Sequence, residues 1–434
     1  MQRGLHVIYA KKRERMRRKN SYMKNSLEAK SLVTLIALFL FGLFPLAGMA
    51  QTGEATVDAL VEMGFENVGW TEDNDERVYV LQNSTSRVQG VGVGKAVDVI
   101  QRMGLPQGKA CRIIVLDNNV PQVSLTYRPA EGDSLTSAER RDWEVSSDLG
   151  GSWKKVRKVV KKNSSLFKVD IVVYPEFMFQ NYKLSRMYDI VLNLSPAVEV
   201  SLWKGGKFTG QVIFPIVNDY GRFYRQIRPG FLTLTQTVRF PKNVFFTASA
   251  GFFNNFRWGV DMRAKHYFKG DERFSVEARL GVTMRGYWED WKFYRGKIVT
   301  VTGSVGGNFY WPKYNTQFSV KGERYLLEEF GVRADMIRHF RYASIGFWAN
   351  RVFGKDDAAH KGFNAGFLFQ INLPPYKYKR RGYIPRVVGG DFGIRYNAGN
   401  ELLYGRGYRS RPDDNTLRDN SFNPYFIKSE LLNF

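Results

Sequence analysis

Cysteine is almost absent: Cys111 is the sole one in 434 residues, which leaves no intramolecular disulfide framework. No cysteine follows the apolar run described below, so the lipid-anchored route of export is excluded too. Four histidines are spread thinly, and no Cys/His cluster has ligand spacing, so neither a metal nor a cofactor is expected. Acid is scarce beside base, with 41 Asp and Glu against 65 Lys and Arg, a net charge of +24. Long apolar runs are missing with one exception, Leu32–Leu46 (LVTLIALFLFGLFPL). A helix needs about 20 apolar residues to span a bilayer, so no spanning helix is expected after it. The other way across a membrane is a closed β-barrel, because closure alone satisfies every backbone group in lipid.

The exception organises the chain. Leu32–Leu46 has the length of a secretory h-region, with Lys24 and Lys30 as its positive flank and Gly48-Met49-Ala50 as a small-residue exit. A signal peptide over residues 1–50 is the favoured reading, against a retained membrane anchor. Upstream lies a basic cluster, Lys11-Lys12-Arg13 to Lys19, read either as an anionic-surface patch or as sequence ahead of a true start at Met23. The leader holds ten Lys or Arg and two Glu, so the exported remainder still carries +16. Export excludes nucleic acid as the partner, and an anionic polymer or anionic lipid fits the charge.

Residues 51–130 read as a small α/β domain. Val57, Leu60 and Val61 share a helical face ended by Gly64, and Phe65–Trp70 and Arg77–Gln82 read as strands. A second helix covers Gly90–Leu105, followed by strands Cys111–Leu116 and Val120–Tyr127 around an Asp117-Asn118-Asn119 turn. Gly90-Val91-Gly92-Val93-Gly94 is not a phosphate loop, because Lys95 is followed by Ala96 rather than Ser or Thr. Cys111, in an apolar strand, reads as a core thiol. Residues 131–165, rich in Ser and Gly, read as a linker with a basic edge.

Residues 166–434 alternate with a period of two. In Arg257–Phe268, Trp258, Val260, Met262, Ala264, His266 and Phe268 form one face. Phe274, Val276, Ala278, Leu280, Val282 and Met284 do so in Arg273–Arg285. Strands of about 12 residues with this dyad pattern predict a transmembrane hairpin, and weaker copies, among them Asp189–Leu194, Val198–Trp203, Val244–Phe253, Phe330–Ile337 and Gly389–Tyr396, bring the total to about 12–14 strands. The predicted fold is therefore mostly β, an antiparallel membrane barrel preceded by a small α/β domain. Aromatics near strand ends (Trp203, Tyr220, Phe223, Tyr224, Tyr287, Trp288, Trp291, Tyr310, Trp311) and the terminal Phe434 fit a barrel with aromatic girdles. The polar faces place Arg257, Arg263, Lys265, Arg273, Arg279 and Arg285 in the lumen, where they would attract a polyanion. The alternative for these cations is pairing with acids inside a filled barrel.

The order of elements resembles the YjbH family of outer-membrane proteins tied to exopolysaccharide production. Val57–Val68 resembles that family's opening helix and strand. Gly322-Glu323-Arg324-Tyr325 with Glu329-Phe330-Gly331-Val332, and Ile345–Ala349 with Lys361-Gly362-Phe363, resemble its strand pairs, and Arg386–Gly393 its late strand. The resemblance implies export or assembly of an anionic polysaccharide at the bacterial outer membrane. It also implies a periplasmic domain facing the export machinery, with outer-membrane lipid around the barrel. It supplies no catalytic residue. An outer-membrane lipase would need a nucleophile beside a base, and His266, His339 and His360 lack such a setting. A structural or secretion-associated barrel without a glycan role is the competing expectation.

Overall fold

The computed structural model describes residues 53–129, 138–180, 188–253, 256–353, 362–397 and 406–433. The leader with Leu32–Leu46, and His360, Lys361 and Phe434, lie outside the described residues.

The first layer is a five-stranded sheet in the order β1-β2-β3-β4-β5, parallel between β2 and β3 and antiparallel elsewhere. Its elements are α1 (Gly53–Glu62), β1 (Glu66–Glu72), β2 (Glu76–Gln82), α2 (Gln89–Met103), β3 (Ala110–Asp117) and β4 (Val120–Tyr127). Helix, two strands, helix, two strands is the order the sequence predicts. Asn118 and Asn119 both take left-handed φ (46° and 62°) in the β3–β4 turn, which their short polar side chains tolerate. The stretch 131–165 is more than a linker. It supplies β5 (Glu144–Ser146) and α3 (Ser152–Val156) to this sheet. Trp143, fully buried 5.8 Å from Tyr127, and Val156, buried against Ile114 and Leu116, are the apolar anchors that draw it in. Polar contacts on α3 finish the docking: Lys155 meets Asp73 at 2.6 Å and Ser152 donates to Glu76 at 2.7 Å. That Lys155 contact pulls the exposed Asp73 carboxyl down to about 2.

The larger layer is a fourteen-stranded sheet. It runs through β6 (Val169–Gln180), β7 (Asp189–Trp203), β8 (Gly206–Asn218), β9 (Arg228–Phe240), β10 (Val244–Phe253), β11 (Arg257–Tyr267) and β12 (Phe274–Glu289). It continues through β13 (Lys292–Trp311), β14 (Thr316–Arg324), β15 (Phe330–His339), β16 (Ala343–Phe353), β17 (Phe363–Asn372), β18 (Arg386–Gly389) and β19 (Asp391–Arg395). The predicted pieces Asp189–Leu194 and Val198–Trp203 are one strand, β7. Pro196 is accommodated where the ladder to β8 lapses, between the Leu194–Phe214 and Ala197–Gln211 pairs.

β6 to β17 alternate in direction, each paired with the next. The last two strands are two halves of one crossing: β18 lies parallel to β6, and β19 antiparallel to β17. Gly390 is the pivot, donating to Val173 O at 2.7 Å and accepting from Leu373 N at 3.0 Å. A Cβ here would sit 2.4 Å from the Tyr174 ring, so glycine is required for the close approach. The sheet thereby wraps nearly shut with an odd crossing at its seam.

Alternation sorts the two faces. Leu234, Val260, Leu280, Val282, Val305, Val332, Met336 and Phe347 on successive strands point outward, each between 39% and 69% exposed. Their neighbours in sequence, such as Asp261, Thr283 and Thr233, point inward and are buried. An apolar outer band around a polar interior is stable only in lipid. Leu280→Arg should therefore cost about 2–4 kcal/mol near the bilayer midplane, read as loss of the heat-modifiable folded band on a gel, whereas Leu280→Ile should leave that band intact.

Candidate functional site: a filled, cation-rich lumen

The α/β layer lies across one rim of the barrel, the rim of short turns. Gly205 N donates to Asn118 O (2.8 Å) at the β7–β8 turn, and Arg239 beside the β9–β10 turn donates to Gln122 O (2.7 Å). Glu272 in the β11–β12 turn accepts from Ser147 N (2.9 Å) and Ser147 Oγ (2.6 Å). Lys168 and Glu66 form a buried pair at 3.0 Å where the chain enters β6. The remaining short turns meet a further helix, introduced next.

The described residues after β19 form no further strand. From Arg406 the chain runs down the inside of the barrel. Leu326 N donates to Arg406 O (2.9 Å) at the rim far from the domain. Tyr408 stacks on Phe253 at 5.6 Å and 8°. Then come α4 (Thr416–Asp419) and α5 (Pro424–Leu432). Asn423 caps α5, accepting from Tyr425 N and Phe426 N, with Pro424 in the first turn. Helix α5 belongs to the α/β domain: Ile427 and Leu431 are fully buried in the core with Val93, Val97, Ile113 and Cys111. Gly90 of α2 permits this contact, since a Cβ there would lie 2.6 Å from Glu430 Cβ and 2.7 Å from Ile427 O. Asn315 and Arg341, at the last two hairpin turns of the rim, bond Ser429 and Glu430 of α5, each at 2.8 Å.

At mid-lumen the pivotal group is Asp261, 1% exposed. Its Oδ1 accepts from Ser410 Oγ (3.0 Å) and Arg263 Nε (3.1 Å), and its Oδ2 from Arg279 Nε (2.7 Å) and Tyr408 OH (2.8 Å). Arg263 also clamps Asp414 with both terminal nitrogens, one at 2.5 Å. Nearer the domain, Asn415 donates to Asp391 (2.8 Å), Ser344 and Thr416 hydroxyls lie 3.1 Å apart, and Arg418 reaches Asp117 in the β3–β4 turn. A cavity of about 1970 Å³ remains beside this segment. Fourteen Lys and Arg line it against eight Asp and Glu.

Five of the six cations placed in the lumen by alternation line that cavity: Arg257, Arg263, Lys265, Arg279 and Arg285. Arg273 does not. It sits in the turn before β12 and is held by Asp271 at 2.6 Å, because the strand begins one residue later. Arg263 and Arg279 are neutralised by Asp261 and Asp414, so an open row of cations is only partly correct. Arg257 and Arg285, paired across β11 and β12 at the far rim, carry no acidic partner among the described residues. Lys207, Arg333, Arg395 and Arg418 were missed by the sequence reading, although Arg333 and Arg395 lie on strands it located.

The aromatic pattern needs one correction. Trp203, Trp291 and Trp311 are exposed, as a girdle requires, but Tyr310 is 2% exposed and stacks on His339 and Tyr425. His339, 2% exposed, is shut between Tyr310 and Phe426.

The belt and the wrapped sheet together decide the class. This is an outer-membrane-type β-barrel. Among solved structures it is similar to OmpTdeltaL8, a loop L8 deletion mutant of OmpT, an outer membrane protein of Vibrio cholerae. The likeness covers 47% of this chain and 86% of that one, with 10% identity and a TM-score of 0.25. No known family description and no curated protein matches the chain.

Proposed function

We propose that the barrel holds an anionic exopolysaccharide at the outer membrane and assists its export or assembly, with the α/β domain on the periplasmic side. The surplus of cations lining the lumen carries this reading, because a low-dielectric wall focuses their field on any polyanion that enters. The periplasmic placement is supported by the short turns on the domain's rim, the side on which such barrels keep their tight connections. The domain's outer face is then free to meet export machinery. The YjbH-like order of elements points the same way.

Arg257 and Arg285 make the test clean, because neither forms an ion pair among the described residues. Replacing both by Ser should lower anion over cation selectivity in planar bilayers by roughly twofold and reduce surface polysaccharide, with the heat-modifiable band unchanged. Unaltered selectivity and polysaccharide in a folded variant would rule the reading out.

A second reading has its own observation. One mouth is covered by the domain and the lumen is threaded by residues 406–423, as befits a structural or secretion-associated barrel without a glycan role. A deletion strain with normal polysaccharide but altered protein secretion would favour it.

A further inference from the structure

The cations a ligand would seek are in part already taken by the chain's own acids. Asp413 and Asp414 are adjacent in an irregular segment and are drawn to cations on different strands. Arg263 of β11 clamps Asp414. Asp413 stands 3.7 Å from Lys207 of β8, 3.6 Å from Arg418 and 3.6 Å from Arg411. Those three separations exceed hydrogen-bond length, so Asp413 is held by charge without directed bonds. Lys207 meanwhile bonds Glu199 at 2.5 Å and is only shared with Asp413.

We infer that residues 406–423 are an internal mimic of the ligand: Asp413 and Asp414 occupy a cation site built by Lys207, Arg263 and Arg418, and that site takes a polymer carrying closely spaced carboxylates. The inference rests on the anionic-glycan reading above. Two further observations support displacement. Arg263, Asp414 and Arg418 all face the 1970 Å³ cavity, so a competitor can reach the pairs without unmaking the wall. The segment is also joined to the wall chiefly by side chains. The backbone bond from Leu326 N to Arg406 O is at its far end, and residues 410–415 belong to no described strand.

The test uses the full chain in lipid discs, with polygalacturonate as probe and neutral dextran as control. The double variant Asp413→Asn, Asp414→Asn removes the mimic's charge and keeps its shape. It should bind polygalacturonate at least tenfold more tightly than the wild type, with the gain fading as salt rises. Ser344→Cys with Thr416→Cys should cross-link the segment to β16, since the two hydroxyls lie 3.1 Å apart. Oxidised, this variant should bind several-fold more weakly than the wild type, and reductant should restore binding. Should the Asn variant not fold, the cross-linked pair decides. Wild-type binding that neither variant alters overturns the mimic and leaves the glycan reading standing. No binding of polygalacturonate by wild type or either variant overturns both.

Discussion

Asp261→Ala is expected to cost about 3–5 kcal/mol and to remove the folded band at urea concentrations the wild type survives. The carboxylate accepts four hydrogen bonds inside the barrel, two of them from guanidinium groups. Its loss leaves Arg279, among the described residues, hydrogen-bonded only to the Tyr408 carbonyl at 3.1 Å, with the face of the Tyr408 ring 4.7 Å away. Arg279 lines the cavity with its side chain 27% exposed, so the cost comes from the lost charge partner and from releasing Tyr408 and Ser410 together. Asp261→Asn keeps an acceptor and should fall between the two. A urea titration in lipid followed by band shift measures both, and an Ala variant as stable as the wild type would show that the four contacts do not hold the lumen together.

Leu431→Asp carries the second large expectation, and Cys111 reports on it. Burial pushes that thiol up to about 12, so at pH 8 it is protonated and hidden, and a disulfide reagent should not label the folded protein. Leu431 lies in the same core, fully buried among apolar side chains where a carboxylate loses its water. The change should destabilise the α/β domain by more than about 4 kcal/mol. Cys111 should then react within minutes, as an ordinary thiol with a pKa near 8.5 does. The barrel's band should persist, because Asp261 and Arg263 hold the returning segment at Tyr408, Ser410 and Asp414, upstream of α5. A Cys111 that stays silent in the variant would mean α5 is not part of the domain's core.

Most of the barrel was legible because membrane strands repeat a two-residue rule that needs no knowledge of partners. Val244–Phe253 is matched to the residue, and Arg257–Phe268 and Phe330–Ile337 to within two. The α/β order was legible from helical spacing ended by Gly64 and Gly104. Signals for the rest were present at its edges only. Asn423-Pro424 ahead of Tyr425, Phe426 and Ile427 is a helix start, which rules out a terminal strand. Residues 406–415 have no period at all. Their meaning lies in pairs such as Arg263 with Asp414, 151 positions apart, and no local spacing encodes these. The same distance is why the sequence left Arg263 and Arg279 open between free lumen cations and paired ones. Alternation states which way a side chain points and is silent about what meets it there.

The odd crossing at the seam has a consequence for the order of assembly. Twelve alternating strands return the chain to the domain's rim, and the thirteenth crossing, β18 with β19, carries it away again. Helix α5 must nevertheless reach the domain, and the way back runs through the lumen. The α/β domain is thus made first and completed last: until the final residues have been threaded, its core lacks Ile427 and Leu431. A chain still awaiting insertion would present that unfilled groove beside α2 to whatever escorts it, and closure of the barrel and completion of the domain become a single late event.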